Sequence, residues 1–150
     1  MVLAQGAIKR GARPALIMLL YVLLARWMGE SGATASLARE AAAALGPLAP
    51  YAVPPLGLMA GMVTGTNVGS NAAMMPVQYK LGLAAGLPPM LAPGVHNFVG
   101  AAGAGMSFAV TAMICGLLAD GTKPAALWRL LWPSLAAVLV IGWGAMALLS

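Results

Sequence analysis

Charged side chains divide this chain into long apolar runs. Three runs contain no Asp, Glu, Lys or Arg: 41–79, 81–119 and 130–150. A helix needs about 20 predominantly apolar residues to cross the hydrocarbon core of a bilayer. The last run therefore predicts a membrane span near residues 126–149, and an apolar segment near the N-terminus predicts another near 13–29.

The first uncharged run is too long for one span and is interrupted by five prolines. We expect a short interfacial helix near 34–45, with Gly46 as its C-terminal glycine. The rest of the run predicts a re-entrant helical hairpin near 48–80, because its centre, Thr64 to Asn71, is polar. The alternative is a solvent-exposed turn between two complete membrane-spanning helices.

Glycines recur every four residues along this hairpin, at Gly57, Gly61, Gly65 and Gly69. That spacing strips one helical face of side chains and permits close approach of another backbone. We therefore expect these four glycines to form one packing face.

The second uncharged run also contains an interruption. Pro88, Pro89 and Pro93 precede a stretch in which three of six residues are glycine, 100–105. Glycine disfavours a helix by about 1 kcal/mol relative to alanine. We expect a membrane helix near 87–119 that is broken around His96 to Gly105, the alternative being a loop followed by an ordinary span from Gly100 to Leu118.

Composition places the chain in a membrane. Hydrophobic residues make up 61% and charged residues 7% of the sequence, and the mean hydropathy is +0.90. Soluble domains carry about 25% charged residues, so soluble enzymes, disordered tails and coiled coils are excluded. The fold class is an all-α integral membrane protein, with residues 1–150 forming one multi-pass transmembrane domain.

Other features of the composition exclude several partners. Eight Lys and Arg residues are scattered and give no basic patch for a nucleic acid. The single cysteine, Cys115, allows no internal disulfide and no cysteine-based metal site, and we expect no cofactor. Lys9, Arg10 and the apolar segment after them could begin a signal peptide, but Arg26 and Glu30 argue against cleavage.

Irregular backbone at membrane depth survives only inside protein or beside a water-filled cavity. Two interrupted apolar segments therefore indicate a substrate site built from the ends of half-helices. The N-terminus of a half-helix offers free N–H groups to an anion. Around the hairpin tip, Ser70 and Asn71 suit such a start, Asn67 is a candidate cap, and Thr64 and Thr66 add hydroxyls.

Three further polar residues lie near these interruptions. His96, beside Asn97, is either a hydrogen-bonded structural histidine or a proton-coupling one. Gln78 faces the site or the lipid interface. Arg39, Lys80, Lys123 and Arg129 are most simply solvated or interfacial charges.

The segment from Gly57 to Asn71, followed by Gln78, resembles the C-terminal region of the L-lactate permease family, whose members carry Thr-Gly-Ser-Asn/Asp-Thr-Ser-Ser-Asn and then Leu-Gln. The matching residues are Thr64, Gly65, Asn67, Ser70, Asn71 and Gln78; the differing ones are Thr66, Val68 and Gly69. Weaker agreement extends over about residues 12–145 and includes Ser31-Gly32, Ser36-Leu37-Ala38, Asn97, Gly100 and Met106.

The chain departs from the family at one point. Gly105 stands where the family has a lysine before methionine, and Ser107-Phe108-Ala109 replaces the family's Ser-Pro-Gln. If that lysine holds the substrate carboxylate, this chain lacks it.

The resemblance implies a secondary active transporter of the plasma membrane that takes up lactate, or a related 2-hydroxy carboxylate such as glycolate, with a proton. It also implies two inverted repeats with re-entrant hairpins, of which this chain is the C-terminal one and needs a separate N-terminal half as partner. The expected substrate-binding residues are Thr64, Gly65, Thr66, Asn67, Ser70, Asn71, Gln78, His96 and Asn97.

Two other classes compete with a transporter. A non-transporting membrane subunit, or an inactive fragment lacking its N-terminal half, would use the glycine faces only for packing. An intramembrane enzyme acting through Ser107, Ser70 or His96 is disfavoured, because no Gly-x-Ser-x-Gly motif occurs and both long runs lack acidic residues. We therefore expect no enzymatic activity.

The distribution of cations predicts the topology. Lys9, Arg10 and Arg13 precede the first span, and Lys123 and Arg129 flank the last, so both groups should be cytoplasmic. The C-terminus should then lie outside. A reporter fused after Ser150 that is active only in the cytoplasm should be silent, and an active one would overturn this topology.

Overall fold

The computed structural model describes the backbone of residues 2–150 and, apart from 2–11, 13 and 14, their side chains. Within that range every regular element is helical. The helices are α1 (Val2–Glu30), α2 (Ala33–Leu45), α3 (Ala49–Thr64), α4 (Asn67–Ala84), α5 (Leu91–Gly105), α6 (Phe108–Leu118) and α7 (Pro124–Leu149), with a 3₁₀ turn (Gly46–Leu48) between α2 and α3.

Three helical stretches of the described residues are long and apolar enough to cross a membrane. They are Ala33–Thr64, Leu91–Leu118 and Pro124–Leu149. The predicted all-α fold with membrane-spanning helices is confirmed at this level. The predicted first span lies within α1, where some side chains fall outside the described residues, and α2 matches the predicted helix near 34–45, whose interfacial position stays a prediction.

The predicted hairpin is present as two helices joined by two residues, Gly65 and Thr66. Gly65 ends α3 in the left-handed region, with φ 71°, where a side chain is disfavoured. Its N–H donates to the carbonyl of Gly61 at 3.0 Å. The helical hairpin is therefore observed, whereas its entry into the membrane from one side stays a prediction.

The predicted place of the break in the next span is wrong. The stretch from His96 to Gly105 lies in continuous α5, and the interruption follows it, at Met106 and Ser107. The reason is packing, because a Cβ on Gly103 would collide with the carbonyl oxygen of Leu58 in α3. Gly100 and Gly103 therefore let helices touch inside α5, whereas Gly105 is its last residue.

The four-residue glycine pattern divides at the hairpin turn. Gly57 and Gly61 both face α5; a Cβ on Gly57 would lie 2.6 Å from Cγ2 of Val99, and one on Gly61 would collide with Gly100 O. Gly65 is the turn, and Gly69 belongs to α4. The prediction that the four glycines form one packing face is therefore wrong, because the chain reverses direction at Gly65.

Helix α7 closes the packed centre against α3 and α5. A Cβ on Gly142 would lie 3.0 Å from Cβ of Pro54 and 3.2 Å from Cγ1 of Val99, so α7 also approaches through a glycine. Pro55 has no N–H to donate to the carbonyl of Tyr51, one turn earlier. The indole Nε1 of Trp143 donates to that oxygen instead, at 2.8 Å.

The close contact of α3 with α5 can be tested with two glycines of the same helix. Gly103→Ala should destabilise the protein by about 1–3 kcal/mol, because the added methyl group collides with backbone. Gly94→Ala is the matched control: nothing lies within 4 Å of its Cβ position, so stability should be unchanged or slightly higher. Thermal unfolding of the purified protein, followed by circular dichroism, measures both. Equal unfolding temperatures for the two variants would contradict the packing described above.

Candidate functional site

The two helix interruptions lie side by side. A Cβ on Gly65, in the hairpin turn, would lie 3.6 Å from Oγ of Ser107, at the break between α5 and α6. A cavity of about 510 Å³ opens here and is lined by Met59, Met62, Val63, Thr64, Gly65, Ser107, Phe108 and Ala109. Helix α6 begins in the wall of this cavity, and α4 begins two residues after Gly65.

Each of these helix starts carries a hydroxyl cap. Thr66 Oγ1 accepts from the N–H of Gly69 at 2.8 Å, and Ser107 Oγ accepts from the N–H of Val110 at 3.2 Å. Asn67 was the predicted cap of α4, but Thr66 takes that position because its backbone is extended, with φ −147° and ψ 143°. The chain therefore turns into a capped helix at both interruptions.

Helix α5 places an amide against the first turns of α4. The Nδ2 groups of Asn67 and Asn71, one turn apart on α4, both donate to Oδ1 of Asn97, at 3.0 and 2.7 Å. The Oδ1 atoms of Asn67 and Asn71 are buried and have no hydrogen-bond partner among the described residues. This amide cluster (Asn67, Asn71 and Asn97) therefore keeps unused acceptors.

A buried serine and histidine lie directly beside the amide cluster. Ser70 Oγ is 3.2 Å from Nε2 of His96, and both side chains are completely buried. Space for them exists because position 100 is glycine: a Cβ there would lie 3.0 Å from Ser70 Oγ. His96 Nδ1 has no partner among the described residues.

The structure brings eight of the nine predicted site residues to this end of the hairpin and uses three of those eight for local structure. The Thr64 hydroxyl lies 2.8 Å from the carbonyl oxygen of Ala60 and 2.9 Å from that of Thr66. Thr66 is occupied as the cap. Gly65 forms the turn, and Asn67, Ser70, Asn71 and Asn97 form one continuous polar surface, with His96 next to Ser70.

His96 is thus the eighth member, and Gln78 is the one predicted residue that lies apart. Gln78 is two turns beyond Asn71 on α4, where its Nε2 donates to the carbonyl of Val53 at 3.3 Å. Its side chain is 1% exposed, so it lies between α4 and α3 and not at a lipid interface. Its expected part in substrate binding stays a prediction.

Two residues at the break between α5 and α6 were not among the predicted site residues, Ser107 and Thr111. Both are completely buried, and the Thr111 hydroxyl donates to the carbonyl of Ser107 at 2.9 Å, which braces the start of α6. A signal for this existed, because a serine that follows a glycine-rich helix and precedes an apolar stretch is a helix-start pattern.

The site has no full charges, and its cavity is lined mainly by apolar side chains. The residues of the amide cluster, the Ser70–His96 pair and the cavity wall include no Asp, Glu, Lys or Arg. Among the described residues there is also no group of three or more His, Cys, Asp or Glu side chains that could hold a metal ion. What the site offers is helix N-termini, hydroxyls and amides.

Comparison of the chain with models of protein families, with curated proteins and with solved structures finds no match. The resemblance to the L-lactate permease family therefore stays an interpretation of the sequence.

The cap at the hairpin turn gives a local test. Thr66→Val removes the oxygen that accepts from Gly69 N–H, and loss of such a cap costs about 0.5–2 kcal/mol. Thr66→Ser keeps the oxygen and is the matched control. Hydrogen exchange at the amide of Gly69 should accelerate in the valine variant and not in the serine variant. Equal exchange in all three proteins would exclude the cap.

Proposed function

We propose that this chain belongs to a secondary active transporter of the plasma membrane that carries a small organic anion together with a proton. The proposed substrate class is lactate or a related 2-hydroxy carboxylate such as glycolate. The observation that carries the proposal is the meeting of two capped helix starts beside one cavity, with the amide cluster on the first turns of one of these helices.

Two helix N-termini favour a carboxylate. The first N–H groups of a helix have no partner within the helix, and each terminus is equivalent to roughly half a positive charge. At the start of α4, the Thr66 side chain and its carbonyl take the N–H groups of Gly69 and Ser70, which leaves those of Asn67 and Val68 for a ligand. Helix α6 adds a second such terminus at Ser107. A carboxylate can therefore be held without a lysine or arginine.

The amide cluster supports a substrate that also has a hydroxyl group. A 2-hydroxy carboxylate needs donors for its carboxylate and an acceptor for its hydroxyl hydrogen. The Oδ1 atoms of Asn67 and Asn71 have no hydrogen-bond partner among the described residues, whereas the helix starts offer donors. Both Oδ1 atoms are buried, so α5 has to shift away from α4 for the substrate's hydroxyl to reach them. The cavity of about 510 Å³ lies within the usual range of about 300–1,000 Å³ for small-molecule sites.

A separate N-terminal half is part of the proposal. Large apolar side chains on α1 and α6 are exposed in this chain, for example Trp27 (75%), Phe108 (74%) and Leu117 (78%). Lipid or another transmembrane segment must cover them, since water disfavours such a surface. Transporters of inverted-repeat architecture place the substrate between two such units.

The competing function is a membrane subunit that transports nothing. It is favoured by the glycines of α3 and α5, because helix packing alone accounts for Gly61 and Gly103. The two functions differ in whether water and solutes reach the segment from Thr66 to Asn71. A purely structural hairpin would keep this segment sealed.

The transport proposal is tested by uptake of labelled L-lactate into membrane vesicles from cells that express the complete transporter, that is, this chain together with its N-terminal half. Asn71→Ala should lower uptake about 2- to 13-fold, because the neutral hydrogen bond from the substrate's hydroxyl to Asn71 Oδ1 contributes about 0.5–1.5 kcal/mol. Arg39→Gln is the control and should transport normally, since Arg39 is exposed on α2, away from the polar residues. Protein in the membrane is quantified for every variant.

Normal saturable uptake by both Asn71→Ala and Ser70→Ala would exclude this site. Wild-type vesicles that take up no L-lactate, but take up another small carboxylate, would overturn the lactate assignment and leave the transport of an organic anion in place. Vesicles that take up neither would favour the structural subunit.

A further inference from the structure

His96 is the only histidine in the chain, and no charged side chain among the described residues hydrogen-bonds to it. The helices that surround it, α3, α4, α7 and its own α5, lie wholly within the described residues. The titratable groups that these helices carry are Tyr51, Tyr79, Lys80, Arg129 and His96 itself. Tyr51, Lys80 and Arg129 are exposed, and Tyr79 is half-buried at the far end of α4, so none of them faces the imidazole.

The hydrogen bonds of the neutral imidazole are incomplete in both tautomers. If Nδ1 carries the hydrogen, Ser70 donates its hydroxyl hydrogen to Nε2, and the Nδ1–H group has no acceptor. If Nε2 carries it, Ser70 accepts, and the lone pair of Nδ1 has no donor. A buried polar atom without a hydrogen bond costs about 1–3 kcal/mol. Either neutral tautomer of His96 therefore carries this cost at Nδ1.

The direction in which the Ser70 hydroxyl points depends on which ring nitrogen of His96 carries the hydrogen. While Ser70 donates to Nε2, its only hydrogen is used and it can offer the site nothing but lone pairs. Once Nε2 carries a proton, Ser70 must accept from it, and the hydroxyl hydrogen is free to point elsewhere. The amide cluster and the start of α4 lie next to that hydroxyl, with Asn71 the following residue and Thr66 one turn back.

We propose that neutral His96 carries its hydrogen on Nδ1, that it binds the co-transported proton on Nε2, and that this proton reverses the hydrogen bond to Ser70 so that the serine hydroxyl becomes a donor to the substrate's carboxylate. The inference rests on the proposed transport function and names the residue that couples the two solutes. The proton comes from water, no covalent bond to the substrate forms, and His96 carries one positive charge while the substrate is bound.

No carboxylate among the described residues faces His96, and this makes the binding of the proton and the binding of the anion depend on each other. A buried imidazolium without a counter-ion is unfavourable, and so is a buried carboxylate beside neutral groups. Each therefore provides the opposite charge that the other lacks. By linkage, the anion must strengthen proton binding by the same factor by which the proton strengthens anion binding, and typical coupling is about 5- to 150-fold.

The single histidine makes the test unambiguous. The complete transporter is assembled with ¹⁵N-histidine in this chain only, and the ring nitrogens of His96 are observed by NMR at a pH where the imidazole is neutral. Addition of sodium L-lactate at matched pH should convert the spectrum to that of an imidazolium, with uptake of up to one proton per chain from a weakly buffered solution. Lactamide, the uncharged amide of lactic acid, is the matched ligand and should recruit no proton.

His96→Gln separates coupling from packing. Its side-chain amide can donate permanently to Ser70 but cannot bind a proton. The variant should bind L-lactate with an affinity that does not change with pH and should take up no proton, whereas the wild type binds up to about tenfold more weakly per unit rise in pH. Should this variant fail to fold, as judged by circular dichroism, the NMR experiment on the wild type decides alone.

The outcomes separate the role of His96 from the proposed transport function. Lactate that binds while the ring stays neutral overturns the role of His96 and leaves the proposed transport intact. Proton uptake that persists in His96→Gln does the same. A wild-type protein that binds neither L-lactate nor another small carboxylate overturns the proposed function, and this inference with it.

Discussion

The rest of the structure depends on the close approach of the α3 and α5 backbones. Gly61 meets the carbonyl of Gly100, and Gly103 meets the carbonyl of Leu58, so a side chain at either glycine would push the helices apart. Backbone contact at two points fixes both the spacing and the relative shift of the helices. Because α4 follows α3 after two residues, the same contact also determines which side chains of α5 face α4.

Two consequences follow from that fixed register. Asn97 reaches both Asn67 and Asn71, since these two lie one turn apart on α4, and the neighbouring His96 reaches Ser70. The end of α5 then falls beside the end of α3, which places the two interruptions together. The helices stop there for local reasons: a glycine in the left-handed region ends α3, and hydroxyl caps begin α4 and α6.

The elements of this fold could be predicted from the sequence better than their contacts. The uncharged runs predicted the helices and the hairpin, because the length of an apolar segment and the presence of turn residues are local signals. The break in the second span was misplaced, because a glycine such as Gly103 looks the same in sequence whether it ends a helix or packs one against a neighbour. Only the Leu58 carbonyl, distant in sequence, tells the two apart. Ser107 was omitted for a related reason, since its place beside Gly65 exists only after the helices have packed.

A site of amides, hydroxyls and helix ends suits a carrier that must also move when empty. A fixed lysine or arginine would bind the anion strongly, but it would leave an unpaired charge inside the protein whenever the substrate departs, and such charges are costly at membrane depth. Helix termini are dipoles and carry no net charge, so the empty site costs less to bury. With a carboxylate and a proton bound together, the loaded site is neutral overall as well. In the proposed symporter, both the empty and the loaded forms could therefore cross the membrane without an uncompensated charge, whereas a form loaded with the anion alone could not.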